Sequence, residues 1–259
     1  MQVANGVYLA AVTTSAMGKP DTVYPVLLTD GTDAVLIDAG YPGRLADLQL
    51  GFENAGVEIN KLSQVIVTHQ DIDHIGGLPA LLEYARKQRT VEVLAHSLEK
   101  PYIQGDKRLI KVTDEVLANL DAVMPPETPE AFKKAFRALF ESPPSAQVNR
   151  TVKDGDRLPA CGGIVIIETP GHTPGHISLY HEPTRTLIAA DALVVVDNQL
   201  RPSFPHTCVD YGQAVRSLEK FADLMIDRVV CYHGGVYESD NINQRIAELA
   251  AEASSIKQD

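Results

Sequence analysis

The chain has 259 residues, of which 44% are hydrophobic, so it is long enough to bury a substantial core as a single domain. Its formal net charge of −11 argues against a nucleic-acid partner, because such binding depends on lysines and arginines that displace counterions. There is no apolar run long enough to cross a bilayer and no basic signal-peptide segment at the N-terminus, so we expect no membrane partner and a cytoplasmic protein.

The first half predicts an antiparallel start followed by alternating helices and strands. Two β-rich runs, 22–29 and 32–38, flank an Asp-Gly pair that is a strong hairpin signal. Apolar residues at helical spacing over about 42–54 then lead into a β-branched strand at 65–67, and a second helix and strand follow over 76–95. This order is typical of layered α/β folds, in which the strand that ends at Thr68 is internal.

The densest cluster of chemically competent side chains follows that strand. The segment VIVTHQDIDHIGG contains His69, Asp71, Asp73 and His74 between the strand and the next helix. Carboxylates and imidazoles buried at this density would be left unsatisfied unless a cation neutralised them, so the segment predicts metal binding. The alternative is that the two histidines cap a helix or lie solvated on a loop, as an isolated histidine usually does.

Residues 97 to about 149 differ in character from the rest of the domain. They contain two helical patterns, KRLIKVTDEVLANL and PEAFKKAFRALF, and two Pro-Pro pairs, which predict a helical cap inserted into the domain that spans residues 1–259. An apolar lid over the metal site and simple packing in a core or a homodimer explain the apolar side of the second helix equally well. That side consists of Phe132, Phe136, Leu139 and Phe140.

The second half returns to β character and supplies three more candidate ligands. The runs GIVIIE, HISLY and RTLIAA predict strands, followed by a helix near 212–224, the strand RVVCY and a terminal helix from about Asn241. His172 lies in the loop ETPGHTPGH, Asp191 ends one apolar strand and His233 ends another. Strand ends are where rigid scaffolds present catalytic ligands, so these three residues are expected to join the first cluster.

Together these motifs resemble the metallo-β-lactamase superfamily, whose signature is HxHxDH, a distant histidine in a TPGHT loop, a bridging aspartate and a final histidine. The resemblance covers nearly the whole chain except the insertion, and it implies a four-layer αββα sandwich of α/β (α+β) class. It further implies that His176 orients its loop. Carried over residue by residue, it implies one metal ion on His69, Asp71 and His172, a second on Asp73, His74 and His233, and Asp191 between them.

Asp71 stands where the family signature has histidine. The added negative charge predicts a bound water that is less acidified and a higher working pH. A carboxylate also favours iron or manganese more than an imidazole does, and the flavodiiron relatives, which resemble this chain in carrying a carboxylate there, use iron. Zinc accepts aspartate readily and is the commonest metal of the superfamily, so we expect two divalent ions, zinc ahead of iron or manganese.

The resemblance implies a metal-dependent hydrolase in which a hydroxide shared by two ions attacks an ester, lactone, thioester or related small-molecule substrate. Asp73 is the expected catalytic residue, both binding the second ion and orienting the hydroxide. Val194 stands where homoserine-lactone hydrolases of the superfamily have a tyrosine, which weakens the lactonase interpretation. Two alternatives stay open: a di-iron oxidoreductase of flavodiiron type with a separate flavin partner, and a non-catalytic metal-binding ligand sensor.

Overall fold

A computed structural model of the protein describes residues 1–16, 19–122 and 124–254. In chain order the strands are β1 (Gln2–Ala4), β2 (Val7–Leu9), β3 (Val12–Ala16), β4 (Lys19–Val23), β5 (Val26–Thr29), β6 (Ala34–Ile37), β7 (Leu62–Val67), β8 (Glu92–His96), β9 (Arg150–Val152), β10 (Arg157–Leu158), β11 (Ile164–Glu168), β12 (Ile177–His181), β13 (Thr186–Ala190), β14 (Leu193–Val196), β15 (Gln199–Pro202), β16 (Arg228–Cys231) and β17 (Gly235–Tyr237). The α-helices are α1 (Leu45–Ala55), α2 (Ile72–Ile75), α3 (Leu78–Ala85), α4 (Lys100–Ile103), α5 (Asp114–Asn119), α6 (Glu130–Glu141), α7 (Tyr211–Arg216) and α8 (Ile242–Ser254). No helix in the described part of the chain is long and apolar enough to cross a membrane.

Two large sheets organise the molecule. The first has the order β1-β2-β5-β6-β7-β8-β9, and its strands are parallel from β6 to β9. The second has the order β10-β11-β12-β13-β16-β17 and is antiparallel except for the pair β13 and β16. The hairpins β3–β4 and β14–β15 form separate two-stranded sheets. The predicted hairpin of β5 and β6 is confirmed, and β7 is internal as predicted.

The sheets pack face to face between two layers of helices. Their inner faces meet through buried aliphatic side chains such as Ile37, Ile66, Ile166 and Leu179. Helices α1 and α3 cover the outer face of the first sheet, and α7 and α8 cover the outer face of the second. Strands β6 and β13 are buried on both faces, which explains why their sequences are continuous apolar runs without alternation. The αββα sandwich of mixed α/β class is confirmed.

The insertion between β8 and β9 contains α4, α5 and α6. Its first predicted helix is shorter than the sequence pattern indicates, because residues 107–113 are not helical and the helix begins at Asp114. Thr113 caps this helix, and its side chain accepts a hydrogen bond from the amide of Val116 at 3.1 Å. Arg137 of α6 donates to the carbonyl of Leu117 in α5 at 2.9 Å, which ties the two helices together. The helix predicted near 212–224 is likewise split into α7 and a 3-10 turn over Ser217–Phe221.

Candidate metal centre

All seven side chains predicted to bind metal meet at one edge of the sandwich. This edge collects the carboxyl ends of β7, β13 and β16, which lead into His69, Asp191 and His233. The loop between β11 and β12 brings His172 to the same place. Helix α2 begins directly after Asp71 and carries the remaining two ligands, Asp73 and His74.

The first predicted ligand set converges on one carboxylate oxygen. Asp71 Oδ2 lies 3.3 Å from His69 Nε2 and 3.1 Å from His172 Nε2. The ligand atoms of these three residues all lie within 4.8 Å of one another, and both histidines are buried. This spacing is suitable for a single ion bound by two imidazoles and one carboxylate.

The second predicted set lies beside the first, with Asp191 between them. Asp73 Oδ2 is 3.2 Å from His233 Nε2 and 3.7 Å from His74 Nε2. Asp191 Oδ1 lies 3.3 Å from His74 Nε2, and its Oδ2 lies 3.4 Å from His172 Nε2 and 3.5 Å from His233 Nε2. Asp191 therefore faces residues of both sets, as expected of a bridging ligand.

Three buried atoms of this cluster make no hydrogen bond within the described structure. They are His69 Nε2, His74 Nε2 and Asp191 Oδ1. A buried polar atom without a partner destabilises a fold by about 1–3 kcal/mol, and such atoms are few in native proteins. Their common orientation toward one point therefore fits a bound cation, and the nitrogen and oxygen donors suit zinc as well as iron or manganese.

His74 is held in place by a buried carboxylate that the sequence analysis did not single out. Asp38, directly after β6, lies with its Oδ2 2.8 Å from His74 Nδ1. Thr68 fixes this carboxylate, its amide donating to Oδ1 at 2.8 Å and its hydroxyl to Oδ2 at 2.7 Å. A proton on Nδ1 directed at Asp38 leaves Nε2 free to face the metal centre, which is how carboxylates commonly orient metal-binding histidines.

Tyr232 supports the same ligand from its other side. Its ring stacks on the His74 ring with 3.7 Å between centroids. Its hydroxyl donates to the backbone carbonyl of Asp73 at 2.6 Å and accepts from the amide of Gly40 at 3.1 Å. One buried side chain thus fixes two neighbouring ligands of the second set.

His176 lies outside both ligand sets and positions Asp191. Its Nε2 accepts a hydrogen bond from the Asp191 amide at 3.1 Å, and its Nδ1 lies 2.8 Å from the hydroxyl of Thr169. Burial holds the pKa of His176 well below its usual value, so the ring is neutral and Nε2 can accept. His176 thus contacts the backbone of Asp191 and, through Thr169, the start of the loop that carries His172.

His233 depends on a tight turn that joins it to the β14–β15 hairpin. Its carbonyl accepts a hydrogen bond from the amide of Val195 at 3.0 Å. The next residue, Gly234, has φ +91°, and a Cβ there would lie 2.0 Å from the Val195 carbonyl oxygen. Only glycine fits this approach, so the CYHGG motif owes its first glycine to the placement of the ligand.

The backbone is also strained next to two of these groups. Asp38 has φ 61° and Ala190, which precedes Asp191, has φ 48°. Residues other than glycine enter this left-handed region at a cost of about 1–3 kcal/mol, and such positions cluster at functional sites. The strain turns the chain sharply at the ends of β6 and β13 and so directs the carboxylates toward the centre.

Charge pairing controls the protonation of the second ligand set in the absence of metal. Burial favours neutral imidazole, but the carboxylates of Asp191 and Asp73 raise the pKa of His233 to about 10. Asp38, Asp191 and Asp73 likewise outweigh burial and raise the pKa of His74 well above its usual value. Burial opposes ionisation of Asp191, yet His233 and His74 hold its pKa well below the usual range.

A lysine from the insertion also enters the centre, and the sequence analysis missed it. Lys111 Nζ lies 2.5 Å from Asp71 Oδ2 and 2.8 Å from His172 Nε2. It lies in the segment 107–113 that was predicted to be helical. The added positive charge balances the negative charge by which Asp71 differs from the histidine of the family signature.

A cavity of about 660 Å³ opens above the ligands. One wall comes from β3, β4 and Tyr41, whose hydroxyl donates to Asp21 at 2.5 Å. The opposite wall is the insertion, and all four apolar residues proposed for a lid line it: Phe132, Phe136, Leu139 and Phe140. Leu109, Val112 and Met124 extend this wall. The insertion thus forms an apolar roof over the candidate metal centre.

Known proteins resemble this chain in sequence. A model of the metallo-beta-lactamase superfamily matches residues 18–233. The probable metallo-hydrolase YflN of Bacillus subtilis (strain 168) is 30% identical over 243 residues, which cover 86% of this chain and 83% of that protein. A hydroxyacylglutathione hydrolase of Rhizobium etli is 29% identical over 160 residues, covering 56% of each chain.

A solved structure gives the same result for the fold. The crystal structure of a metallo-beta-lactamase family protein from Thermus thermophilus superposes with a TM-score of 0.65 at 25% identity. The match covers 97% of this chain and 80% of that one. The similarity of fold therefore extends over both sheets.

Proposed function

Because the chain belongs to the metallo-β-lactamase superfamily and is a metallo-hydrolase, we propose that it uses a two-metal centre to hydrolyse an ester, lactone or thioester bond of a small apolar molecule. The observation that carries this proposal is the convergence, below an apolar cavity, of three buried ligand atoms that make no hydrogen bond. A cation there would satisfy all three atoms, and the cavity would hold the substrate above it.

The proposed ligand sets are His69, Asp71 and His172 for one ion and Asp73, His74 and His233 for the other, with Asp191 shared. Divalent ions held there would lower the pKa of water and polarise the carbonyl oxygen of the scissile bond. We favour zinc for both positions, since tetrahedral sites of imidazole and carboxylate are its usual environment, with iron or manganese as the alternatives.

Asp73 is the proposed catalytic residue. Its side chain is 20% exposed and lines the cavity, so an oxygen of its carboxylate can accept a hydrogen bond from the attacking water. Burial opposes its ionisation, but His74 and His233 lower its pKa, which keeps it an acceptor near neutral pH. Its position beside His233 places that acceptor at the floor of the cavity.

The cavity favours a substrate with an apolar acyl or aromatic group. Its volume is within the usual range for a small-molecule site, and its roof is aliphatic and aromatic. Lys111 is the one lysine or arginine among the described residues that line it. A tripeptide thioester with several carboxylates would find few cationic partners there, so we favour simple esters over glutathione thioesters.

The test combines metal analysis with a substrate panel. Protein purified without added metal is assayed for zinc, iron and manganese, and for turnover of p-nitrophenyl esters of increasing chain length, a lactone, a thioester and a phosphodiester. We expect hydrolysis that a chelator abolishes and zinc restores, with longer acyl chains preferred. Hydrolysis that is insensitive to the chelator would contradict the proposal, and oxygen-dependent redox activity with two irons would support the flavodiiron alternative.

Two variants sharpen this assay. Asp73→Ala should lose turnover, and full turnover in it would contradict the catalytic assignment. Lys134→Met removes an exposed side chain of α6 and should behave as wild type.

The homodimer stays a prediction. Phe132 is 47% exposed and offers apolar surface for a second copy of the chain. Sedimentation analysis of wild type and Phe132→Ser tests it.

A further inference from the structure

Lys111 contacts the first ligand set at two atoms that a metal ion would use. Its Nζ lies 2.5 Å from Asp71 Oδ2 and 2.8 Å from His172 Nε2. The ammonium donates to the carboxylate oxygen, and it lies against the imidazole nitrogen that a metal ion would need. The lysine therefore contacts two of the three ligand atoms of the first set, whereas the third, His69 Nε2, makes no hydrogen bond.

The loop that carries this lysine is fixed to both ligand loops. The amide of Ile110 donates to Gln70 Oε1 at 2.6 Å. The Gln70 side chain donates in turn to Glu99 Oε2 at 2.8 Å, and the other oxygen of Glu99 accepts from the amide of Gly175 at 2.8 Å. Glu99 is fully buried.

These contacts join three segments of the chain around one buried carboxylate. Gln70 lies between the ligands His69 and Asp71, and Gly175 lies in the loop of His172. On either side of Lys111, Leu109 and Val112 are buried. These contacts hold the backbone at Lys111 beside the centre, within reach of Asp71 and His172.

Charge and geometry together make the ammonium and a first metal ion alternatives. A zinc ion at its usual distances of about 2.0–2.2 Å from Asp71 Oδ2 and His172 Nε2 would lie within about 4 Å of Nζ as placed. Two cations that close in a partly dehydrated site repel strongly. The lysine side chain is 28% exposed and has a flexible stem, so it can withdraw toward the cavity when an ion enters.

The second ligand set has no such competitor. Within the described part of the chain, no lysine or arginine contacts Asp73, His74 or His233. Its ligands are instead held by Asp38 and Tyr232, which leave the imidazole nitrogen of His74 facing the centre. The two positions therefore differ in what an incoming ion must displace.

We propose that Lys111 controls occupancy of the first metal position: its ammonium substitutes for the ion on Asp71 and His172, so the second position fills first and the first position binds its ion weakly. This inference rests on the proposed metal-dependent function and adds to it a residue that sets metal stoichiometry. It also gives the Asp71 substitution a physical reason, because a carboxylate forms an ion pair with lysine, which the histidine of the family signature would not.

The experiment is a zinc titration of chelator-treated protein in competition with a chromophoric chelator, with ion counts from elemental analysis. We expect wild type to bind one ion tightly and a second at least tenfold more weakly. In Lys111→Met and Lys111→Gln the weaker ion should bind at least tenfold more tightly, while the tighter one is unchanged. Lys134→Met, which removes the same charge from the same insertion, should match wild type.

Asp71→His provides a second, independent measurement. It removes the carboxylate partner of Lys111, so the change caused by Lys111→Met should be several-fold smaller in this background than in wild type. Equal effects in the two backgrounds, or identical isotherms for wild type and Lys111→Met, would overturn the proposal. Binding of no zinc by any variant would instead contradict the metal-dependent function itself, so the two failures are distinguishable.

Discussion

The cavity has a floor, made of the seven candidate ligands and the residues that hold them, and a roof, made of the insertion. The two are built in opposite ways. The floor consists of buried and partly buried side chains at or just after strand ends, several of them fixed by backbone strain or by hydrogen bonds to buried groups, as Asp38 and Thr68 fix His74. In the roof, helix α6 has no buried residue in the described structure, and its aromatic side chains face the cavity. Changes in the floor should alter the chemistry, whereas changes in the roof should alter which substrate is held.

Lys111 is where the two regions meet. It belongs to the insertion by sequence and to the metal centre by contact, and the Gln70–Glu99 network couples its loop to the ligand loops. Because of this connection, changes in residues 107–113 should alter the metal centre as well as the substrate preference. Changes in α6 should alter the substrate preference only.

The largest effect is expected from the floor, at the residue shared by both ligand sets. Asp191→Ala should lower kcat/KM by roughly 1,000-fold, or about 4 kcal/mol, because it removes the charge that faces His74, His172 and His233 together. Steady-state hydrolysis and zinc content are the measurements. Asp223→Ala, at an exposed position outside the cavity, is the matched control. Turnover within tenfold of wild type would show that the centre does not act as proposed.

Metal affinity of the second position should depend strongly on pH. The pKa of His233 is raised to about 10, so its ring is protonated at neutral pH in metal-free protein and must lose that proton to bind an ion. Affinity should therefore rise at least tenfold for each pH unit between 6 and 8, because His74, whose pKa is also raised, must lose a proton too, and it should level off as pH passes the raised pKa values. Calorimetry in buffers of different ionisation enthalpy would detect the released proton, and its absence would contradict the charge pairing.

The carboxylate behind His74 should have an intermediate effect. Asp38→Asn keeps a hydrogen-bond acceptor but removes the charge, and it should weaken zinc binding roughly 10–100-fold. Asparagine adopts the left-handed conformation of this position more readily than most residues, so the fold should be retained. Zinc competition and the Tm of metal-free protein separate the two effects. A large loss of Tm with unchanged zinc affinity would make Asp38 a structural residue only.

The smallest effect on chemistry is expected from the roof. Phe136→Ala should raise KM several-fold for long-chain esters and leave kcat for acetate esters unchanged, because the ring lines the cavity without contacting the ligand set. Phe204→Ala removes the same side chain at an exposed position outside the cavity lining and serves as the control. An equal drop in kcat for acetate esters and for long-chain esters would contradict the distinction between floor and roof.

The meeting of the seven predicted ligands at one place was predictable because of where they lie in the sequence. His69 and His233 follow apolar strands directly, and polar residues at strand ends of a layered α/β fold are brought to one edge by the topology itself. The same rule applied to the apolar run 34–37 would have pointed to Asp38. The layers followed from periodicity, since buried strands and amphipathic helices leave distinct patterns.

Lys111 and Tyr232 were not predictable in the same way. Lys111 and its partner Asp71 are forty residues apart, and the contact depends on a loop whose sequence has a helical pattern. The helix begins only after Thr113, whose side chain caps α5. The apolar spacing does not reveal this local hydrogen bond. Tyr232 precedes a ligand, but its stacking on His74 requires the two sheets to be packed together. Such long-range contacts leave no periodic signal.

The division of the ligands between the two halves of the chain has a kinetic consequence. His69, Asp71, Asp73 and His74 come from the first sheet, whereas His172, Asp191 and His233 come from the second. Neither half alone can assemble the centre, so an ion would bind only after the sheets have docked, late in folding. Bound metal should then slow unfolding and leave the refolding rate unchanged, which stopped-flow measurements with and without zinc would resolve. Metal bound at the centre would therefore lengthen the lifetime of the native state.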